Sequence, residues 1–429
     1  MEVCEDGGSS NSSDEKSIVL IHMPPIMVNP DSKENHAFIL QQILDECGVK
    51  GHNHSTDGGG VETGTHEWAL LNADQGAFTE ALIRQTEDDG AGLPARMIMG
   101  VSHQFMSITD ALLAMAQNLG LHKLASFHTF KNPAQQRAFF GGAIPLQKKQ
   151  EALLLYLRIV LVDGLIEHWL KHVVTQGVVP SVEDLDAWLH DDTRTNHLKE
   201  FSHYAVDLLG AYSTNLTGIR WMDYPLYQSS RKFLLPNLTA ANHLPYAKAI
   251  VLDIGRVEFQ CSSDVRKNIY EANFAFGKPG SGEGCDFHFG EATVRVQKSW
   301  AYANTEEAAE MAAAMANCGA DLCDTLSNAA LLKSRESAVR PITDMSADIA
   351  EASAWISKNE PFNRSELCSF STGKKIDAFN GTLARRRAGE VHLCYYVKNY
   401  FTKMTKAAPQ GEGEVEDDEE DDTRMDVDP

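Results

Sequence analysis

Along the first third of the chain, short unbroken apolar runs alternate with apolar residues at helical spacing. Ser17 to His22 is a β-branched run stopped by Pro24-Pro25 and reads as a strand. Asp31-Ser32 then opens a helix to about Cys47, with Phe38, Ile39, Ile43 and Leu44 near one side. Trp68 to Leu71 reads as a buried strand that ends on Asp74, and Phe78, Ala81 and Leu82 continue at helical spacing. Arg96 to Val101 gives a further strand, followed by an amphipathic helix marked by Phe105, Ile108, Leu112 and Met115. A strand followed by a helix, three times over, predicts an α/β layer with a largely parallel sheet.

The pattern then changes. From Pro133 to about Asn273 the helical period dominates, with helices expected near 149–174, 181–190, 195–212 and 240–253, and this stretch reads as an all-helical insertion. Gly277 to Gly284 is a breaker-rich loop, after which Glu291 opens a helix to Trp300 and an Ala-rich helix runs from Asn304 towards Leu332. Beyond Pro341 the chain is polar and weakly patterned. The expected organisation is therefore a disordered 1–16, a first part of an α/β core over 17–132, and a helical insertion over 133–276. Core completion and the Ala-rich helix follow over 277–340, then a polar, weakly helical region over 341–410 and an acidic tail over 411–429.

Charge narrows the partners. The chain carries a net charge of −22, of which residues 411–429 supply −10 through eleven acids against Arg424, so the remainder is still acidic. Such a surface does not wrap nucleic acid all round, although a local basic groove stays open. The tail is too charged to fold and suits basic nuclear proteins such as histones, or simple solubility. Lys374-Lys375 and Arg385-Arg386-Arg387 are spaced like a bipartite nuclear-import signal with a short spacer, or form a solvated basic patch. Eight cysteines without a CxxC pair point to reduced thiols in an intracellular compartment. The most apolar segment, Ala152 to Ile166, contains Arg158 and Asp163 and reads as a buried helix, so no membrane partner is expected.

Candidate chemistry sits at element boundaries. Asp74 ends a strand, where open α/β sheets gather ligands, although helix capping explains an Asp there equally. Glu291, with Asp286 nearby in sequence, supplies further carboxylates that could share divalent metals; Mg²⁺ or Mn²⁺ phosphodiester chemistry needs such oxygen ligands. His103 directly follows a strand, where it meets a ligand or bonds nearby backbone. No Walker-type phosphate loop and no GxSxG elbow occurs.

Several short segments occur in order along the chain: the Pro24-Pro25 exit, the helix Asn35 to Leu44, Ala73-Asp74-Gln75, the Gly100-Val101-Ser102-His103-Gln104-Phe105-Met106 element, Pro245-Tyr246-Ala247, and the Gly277-Lys278-Pro279-Gly280 loop with Asp286 and Glu291. Together they resemble a family of unknown function, expanded in fungal genomes and associated with mobile elements, with a ribonuclease-H-like, transposase-derived core. The resemblance implies a ribonuclease-H-like mixed sheet carrying a large helical insertion, with Asp74 as the second catalytic carboxylate and Glu291 as the last. The family's Asp-Asn motif on an earlier strand has no counterpart here, and Ala73 stands where a Gly is expected. The expectation is a transposase-derived protein with an incomplete metal site and no retained catalysis, binding nucleic acid or protein. The alternatives are an active Mg²⁺-dependent DNA nuclease or transposase, and an acidic scaffold for basic nuclear proteins.

Overall fold

The computed structural model of the chain describes residues 69–73, 95–127, 130, 132–140, 144, 146–177, 179–191, 193–259, 261–274, 284 and 345–407. The expected strand at 17–22, the helix at 31–47 and the elements from 285 to 340 lie outside the described residues.

Two strands, β1 (Ala69–Ala73) and β2 (Ala95–Met99), pair in parallel with Ala69 opposite Ala95 and Ala73 opposite Met99. They occupy two of the apolar runs that the pattern marks as strands. Everything else of regular structure among the described residues is helical. The body opens with α1 (Val101–Asn118), α2 (His122–Phe127), α3 (Pro133–Phe140) and α4 (Leu146–Leu157). A π-helical segment (Arg158–Ile166) runs on into α5 (Glu167–Thr175), and α6 (Val182–Leu189) and α7 (Asn196–Ser202) follow. A second π segment (His203–Leu208) leads into α8 (Leu209–Trp221), then α9 (Tyr224–Ala240), α10 (Leu244–Phe259) and α11 (Ser263–Asn273). Towards the C-terminus lie α12 (Ser346–Asn359) and the long α13 (Thr382–Ala407).

This architecture corrects the expected ribonuclease-H-like mixed sheet. Among the described residues the strands amount to one parallel pair, and the segment read as an insertion is the body itself. The physical reason is where the apolar side chains go. One buried cluster runs from Met99 and α1 through α4, α8, α9 and α10, and it also takes in Ile356, Phe362 and Phe370 from the region that reads as weakly patterned.

Local chemistry sets the helix ends. The side chains of Ser181, Thr195, Asp223 and Ser262 each accept a backbone N–H in the first turn of α6, α7, α9 and α11. Helix α9 forms despite Pro236 in its interior, a placement that ordinarily breaks a helix, because it is buried along nearly its whole length and held by its neighbours. Its buried side chains include Gln228, Ser230, Arg231, Asn237 and Thr239, so its pattern is not amphipathic.

Residues 361–381 bind the last helix to the body. Phe370 N donates to Leu119 O (3.0 Å) and Ser371 N to Gly120 O (3.2 Å). Gly120 holds a left-handed φ of +72°, and a β-carbon there would overlap Ser369. Phe362 and Phe370 pack with Phe201, and Trp355 lies over Phe370 at 5.3 Å between ring centroids. Glu200, buried on α7, then caps α13: Thr382 Oγ1 (2.7 Å) and Leu383 N (3.2 Å) both donate to its Oε2.

Candidate functional site

The strand ends are the first place to look. Asp74, Asp286 and Glu291 lie outside the described residues. His103 sits in the first turn of α1, half-buried and already engaged with a partner. Its neighbour Gln104, which the residue pattern does not single out, does more. Gln104 Nε2 donates to Met99 O at the end of β2 (3.0 Å), while its Oε1 accepts from Tyr227 OH (3.0 Å) and from Arg231 Nη1 (2.8 Å).

Arg231 is 1% exposed, and its Nη2 donates to Asp253 Oδ2 at 2.7 Å. Burial works against the guanidinium charge, yet Asp253 together with Tyr227 and Tyr224 outweighs it and holds the group charged. The result ties β2, α1, α9 and α10 together at one point. Such a buried pair specifies how elements meet, and removing one partner leaves a charge stranded in the core. Among the described residues no three His, Cys, Asp or Glu side chains gather as a metal ion would need.

A polar groove of about 1080 Å³ opens between α6, α7, the second π segment and the C-terminal segment. His203 reaches it 6% exposed, its Nδ1 2.7 Å from Asp207 Oδ2 and its Nε2 without a hydrogen-bond partner among the described residues. The other carboxylates there are occupied by the fold. Asp191 accepts from Thr193, Glu200 caps α13, Asp377 accepts from Phe379 N, and Glu366 pairs with Lys375. Arg194 is likewise spent on Ser202, Leu189 and the face of Trp188. A polar ligand would exchange water hydrogen bonds for these, which yields little net affinity.

The cations of the two basic clusters take different roles, and the division does not follow the clusters. Arg386 is a packing residue: its guanidinium lies 4.3 Å over the Phe233 ring, and its Nη1 donates to Phe233 O (3.0 Å) and Asn237 Oδ1 (2.9 Å). Lys375 and Arg387 instead line the polar groove. An import signal read as a linear segment would first have to unwind α13.

A second groove, of about 530 Å³, has different chemistry. Thr239, Leu244, Ala247 and Lys248 form one wall, and His392, Leu393, Tyr395, Tyr396 and Asn399 of α13 the other. None of these residues carries a carboxylate. Lys248 Nζ stands 5.1 Å from the Tyr396 ring centroid. Of the residues on this wall Tyr395 is 68% exposed, and beside the groove Val391 is 69% exposed, with Arg387, Cys394 and Lys398 exposed on the same helical stripe. Over 382–407 the sequence holds six Lys and Arg against Glu390 alone, the reverse of a chain whose net charge is −22. Exposed aromatic and apolar side chains are what interface hot spots are made of, and the cations beside them favour an acidic partner.

No protein-family model, no curated protein and no solved structure matches the chain. Among the described residues no helix is long and apolar enough to cross a membrane.

Proposed function

We propose that this chain is a helical protein-interaction module that docks an acidic amphipathic segment of a partner protein in the groove between α10 and α13. The observation that carries this reading is a groove whose described lining holds no carboxylate, includes exposed Tyr395 and is flanked by exposed Val391. Burying a side chain of the Val or aromatic class stabilises a complex by ~1.5–3 kcal/mol, and a helix laid in a groove does so at several anchors at once. Glutamates on the partner's flank complement Lys248.

Magnitudes disfavour nucleic acid at this surface. Lys248, the one Lys or Arg among the described lining residues, would neutralise about one phosphate, giving a salt slope of only about −0.8. The test uses the full chain and a synthetic amphipathic peptide with leucines at helical spacing and glutamates elsewhere, followed by fluorescence anisotropy. Saturable binding that weakens about tenfold or more in Tyr395→Ala is expected. Absence of saturable binding, or tighter binding of single-stranded DNA, overturns the reading.

Descent from a mobile-element transposase, a DNA partner, a Mg²⁺ or Mn²⁺ site at Asp74 and Glu291, a nuclear location and histone binding through 411–429 are separate proposals. Their support is the order of short motifs and the charge runs in the sequence. DNA cleavage by the full chain with either ion, abolished by Asp74→Ala, tests the catalytic one.

A further inference from the structure

We infer that the acidic residues 411–429 of this same chain occupy the groove between α10 and α13 and compete there with the partner; this regulation rests on the docking reading above. Three observations carry it.

The first is charge. The described lining of the groove has no carboxylate and stands on the most basic helix of the described body, while residues 411–429 hold eleven acids and one arginine. The same surface that suits an acidic partner suits this segment.

Reach is the second. Tyr395 lies twelve positions before Ala407, the last residue of α13, which is about 18 Å along the axis. About six extended residues span that distance. The run beginning at Glu414 can therefore lie beside Tyr395, with Val415 as an apolar anchor between Glu414 and Glu416.

The third is the strength required. Exposed ion pairs contribute only ~0.2–1 kcal/mol each, too little for a tight complex between separate molecules. A covalent linker of a few residues, however, raises the local concentration to about the millimolar range. A contact with an intrinsic dissociation constant of about 1 mM is then half occupied, and one of about 0.1 mM weakens a competing partner roughly tenfold. Exposed charges are screened beyond about 8 Å at physiological salt, so the occupancy falls as salt rises.

Native Cys394 gives a direct readout, because it is exposed on the outer stripe of α13 next to Tyr395. The full chain carrying Val415→Cys is equilibrated with a glutathione redox buffer, and the disulfide formed by the introduced thiol is mapped by mass spectrometry. The expected product is an intramolecular bond to Cys394 that forms several-fold less in 0.5 M salt, or when the carboxylates from Glu412 to Asp422 are replaced by their amides. An unchanged yield in the amide variant overturns the inference, because chance collision needs no charge. So does a bond to other cysteines only. The amphipathic peptide is titrated in parallel against the amide variant. If it fails to bind there while charge-dependent trapping persists, the partner reading falls and the inference about the tail stands. If the peptide binds but trapping does not depend on charge, the partner reading stands and the inference about the tail falls.

Discussion

Gly389 on the last helix lies directly against the carbonyl oxygen of Pro236 on α9, so closely that a β-carbon at 389 would overlap it. The contact is backbone against backbone, and neither side can rotate away. This crossing, with Arg386 stacked one turn earlier on Phe233, fixes the wall of the docking groove.

Gly389→Ala therefore sets two effects against each other. Alanine favours the helical backbone by ~1 kcal/mol over glycine, but overpacking of a rigid contact at this buried position costs ~1–3 kcal/mol. The expected result is a net loss, seen as faster hydrogen exchange of backbone amides over 389–399 and weaker peptide docking. Unchanged exchange would mean that the two helices do not meet this closely.

Glu200→Ala removes the cap of α13 from a buried position. A lost cap costs ~0.5–2 kcal/mol, and the stranded Thr382 hydroxyl adds to it. Limited proteolysis should cut near 378–383 sooner than in the parent chain, while Glu200→Gln, which keeps an acceptor, should behave in between. Equal cutting of all three proteins would sink the assignment.

Asp253→Ala leaves the Arg231 guanidinium charged and buried, which typically costs ~3–5 kcal/mol. Replacing both residues, as Arg231→Met with Asp253→Leu, should recover much of that loss. Urea unfolding of the two single variants and the double variant closes the cycle. A double variant as unstable as the singles added together would show that the pair is not coupled.

His197 carries an acid sensitivity. It is fully buried beside Phe201 and Phe362, and its Nδ1 accepts from Cys368 N (3.2 Å), which requires the neutral ring. Burial first, and the Arg364 charge second, push its pKa down to about 4 from 6.5; the nearby Pro361 carbonyl pulls the other way, outside hydrogen-bond geometry for Nε2. The unfolded chain thus binds the proton more readily than the folded one. Stability from this residue is complete above about pH 6.5 and is lost as pH falls from there towards 4, by about 3 kcal/mol in all. His197→Asn keeps an acceptor and does not titrate, so its urea midpoint should change less between pH 7 and pH 4.5 than that of the parent. An identical change in both proteins would place the acid sensitivity elsewhere.

Helical spacing made much of the body legible. The expected helices near 149–174, 181–190, 195–212 and 240–253 correspond to α4–α5, α6, α7–α8 and α10, because their apolar residues recur at the helical period and face one core. The central helix α9 was not legible. The residue pattern predicts no helix there; Pro236 lies inside it, and the polar Gln228, Arg231 and Asn237 are buried because hydrogen-bond partners, some from distant segments, satisfy them. Nothing local announces such partners. Residues 346–399 read only as polar and weakly helical, and how they are held was hidden for the same reason: their order comes from contacts with Leu119, His197 and Glu200, far away in sequence.

The docking surface shows the same division. Sequence by itself determined that the segment 382–407 is basic in an acidic chain and that 411–429 is its opposite in charge. Only the tertiary structure decided which cations remain outward. Arg386 is taken into the packing by Phe233, while Arg387 stays exposed one position later, because a step of one residue turns a side chain about 100° around the helix. Periodicity can be read along the chain, but which face meets a neighbour depends on where that neighbour lies.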